Sequence, residues 1–321
     1  MTLKSFLLFV EIQTKVASVI PFMLGTLYSL YRYENFEFKN FMIMFVSLIT
    51  FDMVTTAINN YFDYKKETKN IDHHWDIIKV SNNIIPRYGF RETTAVAIIF
   101  ILVFIAIAFG VLLTLSTNIV VLLVGMICFI AGILYTFGPI PISRMPLGEI
   151  FSGIFMGFVI TFLAVYIHVF NENIITLTYA NNILGLNINL IEIFYIFLIS
   201  IPLIGGIANI MLANNICDVE EDIINKRFTL PYYIGRPKAL KLFKCLYYLG
   251  YVAIAMSAIL GVAPISVLLV LATLVPVNKN INTFTDKPVK SETFILAVKN
   301  FVIINVAYVV SVGIMAIANK F

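Results

Sequence analysis

The sequence predicts an all-α polytopic membrane protein, and three observations carry that prediction. Sixty per cent of the residues are hydrophobic and only 12% are charged. The mean hydropathy of +0.94 lies far from the balance of a soluble domain. The apolar residues fall into long runs of about 20, the length that crosses a bilayer as a helix, and backbone in lipid must satisfy its own hydrogen bonds. The Lys and Arg flank these runs instead of gathering on one soluble face. The net charge of +4 therefore points away from a nucleic-acid role.

Taken in order, the expected spans are 5–31, 40–62, 94–115, 118–137, 147–170, 190–216, 240–260, 263–278 and 294–318, nine at about 20 residues per crossing. The first carries Glu11, Gln13 and Lys15 and lacks a small-residue cleavage site, so it is expected to stay as a helix. The eighth is short and begins at Pro264. Cys128, Cys217 and Cys245 have no metal-ligand spacing and read as free thiols.

Basic residues set the orientation. One side collects Lys4, the cluster from Lys65 to Arg91, Arg144, the cluster from Lys226 to Lys244, and the lysines from Lys279 to Lys299. The other holds only Arg32, Lys39 and Lys320. The positive-inside rule then places the N-terminus in the cytoplasm and the C-terminus outside, as expected of a multi-pass protein of the cell (plasma) membrane.

Two stretches say the same thing on the cytoplasmic side. Asn59-Asn60-Tyr61-Phe62-Asp63 runs on to Glu67, and Asn214-Asn215-Ile216-Cys217-Asp218 runs on to Asp222. Acids four apart share one helix face. The motifs stand 155 positions apart, at the ends of spans two and six. An offset of four spans implies a parallel internal repeat, about 5–137 and 147–278, with 294–318 as an added ninth helix. The expected architecture is one domain, 1–321, of two four-helix units plus one helix around a central cavity, the acidic clusters facing each other at its mouth.

Like charges gathered beside a membrane call for a divalent cation. Asp63 with Glu67, and Asp218 with Asp222, offer hard oxygens suited to Mg²⁺, which binds through one or two carboxylates plus substrate phosphate. Asn59, Asn60, Asn214 and Asn215 add amides one turn back. Lys226, Arg227 and Thr229 follow the second motif as donors for phosphate oxygens, and Arg144 sits in the Pro-rich turn 138–146. A diphosphate leaves only once its charge is neutralised. An allylic group then departs as a cation, which ring faces such as those of Tyr61, Tyr64, Tyr135, Phe137, Tyr232 and Tyr233 can shield.

These residues resemble the UbiA-type intramembrane prenyltransferases, with their N-x-x-x-D-x-x-x-D first motif, D-x-x-x-D second motif and nine-helix fold. NNYFDYKKETKNID, LYTFGPIPISRMPLGEI, NNICDVEEDIINKRFTLPYYIG and EIQTKVAS resemble the menaquinone branch of that superfamily. The likeness covers essentially the whole chain. Glu67 departs from the pattern's Asp, and Asp72 is the other residue able to complete the first site. The resemblance implies transfer of a polyprenyl group from polyprenyl diphosphate to 1,4-dihydroxy-2-naphthoate. The carboxylate leaves as CO₂, the product is demethylmenaquinone, and the apolar tail lies in a groove open to membrane lipid. Other acceptors within the superfamily are 4-hydroxybenzoate, haem, a chlorophyll precursor or a glycerol phosphate lipid. A secondary transporter is the reading from another class, but it would place its ion site near the midplane, away from the helix ends.

Lys15 and Asp52 lie at matching depth, about 15 Å from the cytoplasmic ends of their spans. They either pair or place one member in the acceptor pocket. Lys226 and Arg227 either hold diphosphate or anchor the loop. Glu149 suits a helix start, His73-His74 a solvated loop and His168 a buried or interfacial position. Asn209 either bridges helices or reaches the cavity. Gly205-Gly206 predicts close helix packing.

Overall fold

The computed structural model describes residues 2–69, 85, 91–136 and 141–319, with the side chains of 66–69 and 180 left aside. Asp72, His73, His74 and Phe137 lie outside the described residues. The chain is a multi-pass helical membrane protein. The helices are α1 (Leu3–Phe9), α2 (Val16–Tyr33), α3 (Phe38–Lys69), α4 (Glu92–Ser116) and α5 (Ile119–Thr136), then α6 (Gly148–Tyr166). A hairpin of β1 (Ile175–Ala180) and β2 (Ile183–Ile188) follows. Then come α7 (Leu190–Cys217), α8 (Val219–Ile224), α9 (Leu230–Ile234) and α10 (Arg236–Ile259). The last two are α11 (Ile265–Asp286) and α12 (Ile295–Ala318). Among the described residues seven helices are long and apolar enough to cross a membrane, and an eighth counts if Leu3–Phe9 and Ile12–Tyr33 form one broken span. The segment expected as the fourth span is a shorter apolar helix.

The chain divides into two compact units. The first comprises Met1–Val16 and Met42–Ser116. Phe9, Val10, Val54, Ala57, Ala95 and Leu102 form its core, drawn from α1, α3 and α4. The first span breaks after α1, where Glu11 takes a left-handed φ of 48° and a short 3₁₀ turn, Ile12–Lys15, follows. Across α3 and α4 the Ser47 hydroxyl donates to the Ala106 carbonyl at 3.0 Å.

The second unit comprises Ala17–Phe41 and Thr117–Phe321. Small residues let its helices approach, the usual solution where lipid gives no hydrophobic drive to association. A Cβ at Gly205 would meet the Leu246 carbonyl of α10 at 3.0 Å, and one at Gly206 would meet the Phe301 ring of α12 at 2.7 Å. The expected close packing at this pair is therefore present, and it seats α7 at the centre of the unit. Asn209 bridges helices, its amide donating to the Phe243 carbonyl at 3.0 Å. The middle of α6, Gly153–Val159, is a π-helical turn set against α7.

Three further elements differ from the sequence expectation. α3 runs on to Lys69 past the expected end at 62, so the first motif lies inside a continuous helix. α11 continues to Asp286 instead of stopping near 278, because Val277, Ile281 and Phe284 keep an apolar stripe on its buried face. The connection 171–189 folds into a hairpin with Ile175↔Ile188, Leu177↔Leu186 and Tyr179↔Leu184 paired across it. Its turn is Asn181-Asn182, both at positive φ, as a two-residue hairpin turn requires.

Candidate active site

In the second unit, α7 ends at Cys217 and Asp218 caps it. α8 restarts at once, with Asp222 N–H donating to the Asp218 carbonyl at 2.7 Å. The break keeps both carboxylates on one side of the chain and buries them, Asp218 at 9% and Asp222 at 3% exposure. Lys226 then turns the chain with a φ of 54°. Arg227 N–H returns to the Asp222 carbonyl at 2.8 Å. Its guanidinium Nε stands 3.3 Å from Asp222 Oδ1, and the Thr229 hydroxyl donates to Asp222 Oδ2 at 3.4 Å. Lys290, from the connection before α12, forms an ion pair with Asp218 Oδ2.

Burial pushes the Asp222 carboxyl above its ordinary value; Arg227 opposes this, and the neighbouring Asp218 charge adds to it. The structure thus holds two like charges close together in a dry place, each balanced by one basic side chain. Hard carboxylate oxygens held close together suit Mg²⁺. Among the described residues no three acidic, His or Cys side chains gather in one place; the side chain of Glu67 and all of Asp72 lie outside that description.

Other expected site residues join the same unit. The Phe228 N–H donates to the Arg144 carbonyl at 3.1 Å, tying the Pro-rich turn to the loop after Asp222. The Tyr135 hydroxyl lies 3.7 Å from Met211 Sδ. Lys226 is exposed. Asn215 is buried, its amide donating to Glu149 Oε1 at 2.8 Å.

In the first unit Asp63 and Asn59 are exposed on α3. Asn60 Nδ2 donates to the Phe9 carbonyl at 3.0 Å and to Glu11 Oε1 at 3.2 Å. Tyr61 donates to Glu92 Oε1 at 2.9 Å, and Lys65 pairs with the same carboxylate. Lys15 is paired with Asp52, the first of the two roles open to it.

Sequence reasoning missed two participants. Lys290 read as one of many loop lysines, and nothing local marks it as the partner of Asp218, 72 positions away. Glu149 read as a helix-start acid. A carboxylate at the head of an apolar span was itself the signal that could have singled it out.

The chain is similar to known proteins in sequence and in fold. A curated relative, the 1,4-dihydroxy-2-naphthoate octaprenyltransferase of Bacillus subtilis (strain 168), is 29% identical over 250 residues, 78% of this chain and 72% of the relative. A UbiA homolog from Archaeoglobus fulgidus, solved bound to GPP and Mg²⁺, superposes with a TM-score of 0.65 at 15% identity, over 98% of this chain and 99% of that one. The apo UbiA homolog from Aeropyrum pernix K1 gives 0.64 at 18% identity, over 96% and 98%. At these identities the solved structures speak for the fold alone. The model of the UbiA prenyltransferase family matches residues 18–310, nearly the whole chain, and the protein belongs to that family.

Proposed function

We propose that this prenyltransferase moves a polyprenyl group from its diphosphate to 1,4-dihydroxy-2-naphthoate, releasing CO₂ and diphosphate and giving demethylmenaquinol, the hydroquinone form of demethylmenaquinone. The observation that carries this is the Asp218–Asp222 pair, buried and ringed by Arg227, Thr229 and Lys290. The acceptor is supported by the relative named for it.

Asp218 and Asp222 would hold Mg²⁺ on the second motif, and Asp63 with either Glu67 or Asp72 would offer ligands of the same kind on the first. The ion supplies neutralisation of diphosphate charge. Arg227, Lys290, Lys226 and Arg144 supply donors to the same oxygens, and Arg227 does so in a planar fork suited to phosphate. The Thr229 hydroxyl keeps the Asp222 carboxylate turned toward the site. As the C–O bond to the allylic carbon breaks, the electron pair leaves with diphosphate. Tyr135 would help shield the allylic cation and exclude water from it. The ring carbon bearing the carboxylate then bonds the allylic carbon, and that carbon loses CO₂. Both motifs face the cytoplasm, and the prenyl tail lies in lipid.

Purified protein given labelled farnesyl diphosphate and 1,4-dihydroxy-2-naphthoate should form prenylated product with equimolar CO₂, and EDTA should stop it. Product from 4-hydroxybenzoate, a haem or a glycerol phosphate lipid, with none from the naphthoate, would overturn the acceptor assignment. Product formed at full rate in EDTA would overturn the metal.

A further inference from the structure

The two motifs share a feature beyond their spacing. In each, the second asparagine donates its side-chain amide to a glutamate on the preceding span. Asn60 Nδ2 reaches Glu11 Oε1 at 3.2 Å in the first unit, and Asn215 Nδ2 reaches Glu149 Oε1 at 2.8 Å in the second. Glu11 belongs to the first span and Glu149 to the fifth, the positions that a four-span repeat makes equivalent. The correspondence is independent of the motif spacing, because neither glutamate lies in a motif.

We propose that Glu11 and Glu149 are matched positioning residues. Each holds the second asparagine of a motif, so that the neighbouring Asn–Asp face of the same helix meets the diphosphate in a fixed orientation. Asn59 and Asp63 share one face, as do Asn214 and Asp218, while Asn60 and Asn215 sit about 100° around the helix. A tether there fixes the roll of the helix without covering the ligand-facing side. In lipid such a tether matters, because apolar contacts to lipid tails and to neighbouring helices differ little and resist rolling weakly.

A carboxylate accepts and cannot donate, so it sets which way each amide points. Asn215 Oδ1 is thereby left as a buried acceptor without a hydrogen-bond partner, as is the second oxygen of Glu149. Asn60 and Asn215 accordingly act on substrate through the helix they hold.

This inference rests on the proposed use of the motifs, and its test separates the two. Detergent-purified full-length protein is titrated with farnesyl diphosphate in Mg²⁺ by calorimetry, with thermal melting of each variant alongside. Glu149→Ala and Asn215→Ala should each weaken binding by about 10- to 100-fold, the usual effect of removing an outer-shell partner. The double variant should be no worse than either, because one interaction is lost in all three. Glu149→Gln should stay within about threefold of wild type, since its carbonyl accepts the same N–H and the outer-shell loss is avoided. If the buried variants fail to fold, Glu11→Ala at a half-buried position should weaken binding in the same direction, by less than Asn60→Ala, which also loses the bond to the Phe9 carbonyl. Wild-type affinity in the alanine variants, or multiplied losses in the double variant, would overturn the tether alone. Wild-type protein that takes up no farnesyl diphosphate in Mg²⁺ would remove the functional assignment, and the tether's purpose with it.

Discussion

Lys15 Nζ lies 2.7 Å from Asp52 Oδ1, within the membrane-spanning part of the first unit. The ammonium also donates to the Asp52 carbonyl at 3.0 Å and the Thr56 hydroxyl at 2.6 Å. Three protons meet three protein acceptors, which favours the structural role over an acceptor pocket. Lys15→Met alone strands a carboxylate in an apolar setting and should cost roughly 3–5 kcal/mol. Lys15→Met combined with Asp52→Leu should recover most of that stability and keep turnover. Thermal melting beside the two-substrate assay checks both; a stable double variant without turnover would return Lys15 to the substrate site.

Asp218→Asn and Asp222→Asn should each lower kcat by about 10²–10³-fold, since each removes a carboxylate that would hold the Mg²⁺ whose charge offsets that of the departing diphosphate. Folding should survive. Lys290, left without Asp218, is 54% exposed, and Arg227, left without Asp222, is 33% exposed. Lys290→Met should act differently, raising KM for prenyl diphosphate more than it lowers kcat, as loss of ground-state binding does. Steady-state kinetics with far-UV melting distinguishes the three.

Gly157→Ala tests how closely α6 and α7 must approach. Its Cβ would lie 2.6 Å from Ile204 N and 2.7 Å from Ile204 Cα. Backbone cannot swing aside as a side-chain end can, so the helices must part at a cost of about 2 kcal/mol or more. Gly125→Ala is the control: nothing lies within 4 Å of its Cβ, and the better helix former should leave melting unchanged or slightly raised.

These sites differ in how far the sequence announced them. The spans were legible because lipid demands an apolar length, and Asp218 and Asp222 because their spacing repeats that of Asp63 and Glu67. The ends were harder. At Lys65 and Lys69 charge replaces apolarity while the backbone hydrogen bonds continue, so α3 outlasts its hydropathy. In α11, Val277, Ile281 and Phe284 form a stripe that a run-length rule passes over. The hairpin carried a signal, alternating Ile175, Leu177 and Tyr179 before Asn181-Asn182, hidden inside a stretch that read as a connection. Lys290 carried none. A lysine's choice of carboxylate is settled by tertiary packing, and the same residue type recurs in the connections 63–93, 217–239 and 279–293.

His168 makes stability depend on pH. It is 1% exposed, with Glu37 N–H donating to its Nδ1 at 3.0 Å and the Phe36 ring centroid 5.2 Å away. Burial pushes the imidazole down to about 4, whereas the unfolded chain takes the proton near the ordinary value of about 6.5. Between those values the unfolded state binds the extra proton, so stability falls as pH falls through that window and is unaffected by His168 above it. By pH 4 the loss should approach roughly 3 kcal/mol. His168→Asn keeps an acceptor for Glu37 N–H and cannot titrate. Melting wild type and variant between pH 7 and pH 4 should show the wild type losing more. Parallel curves would mean that the imidazole protonates without opening its surroundings.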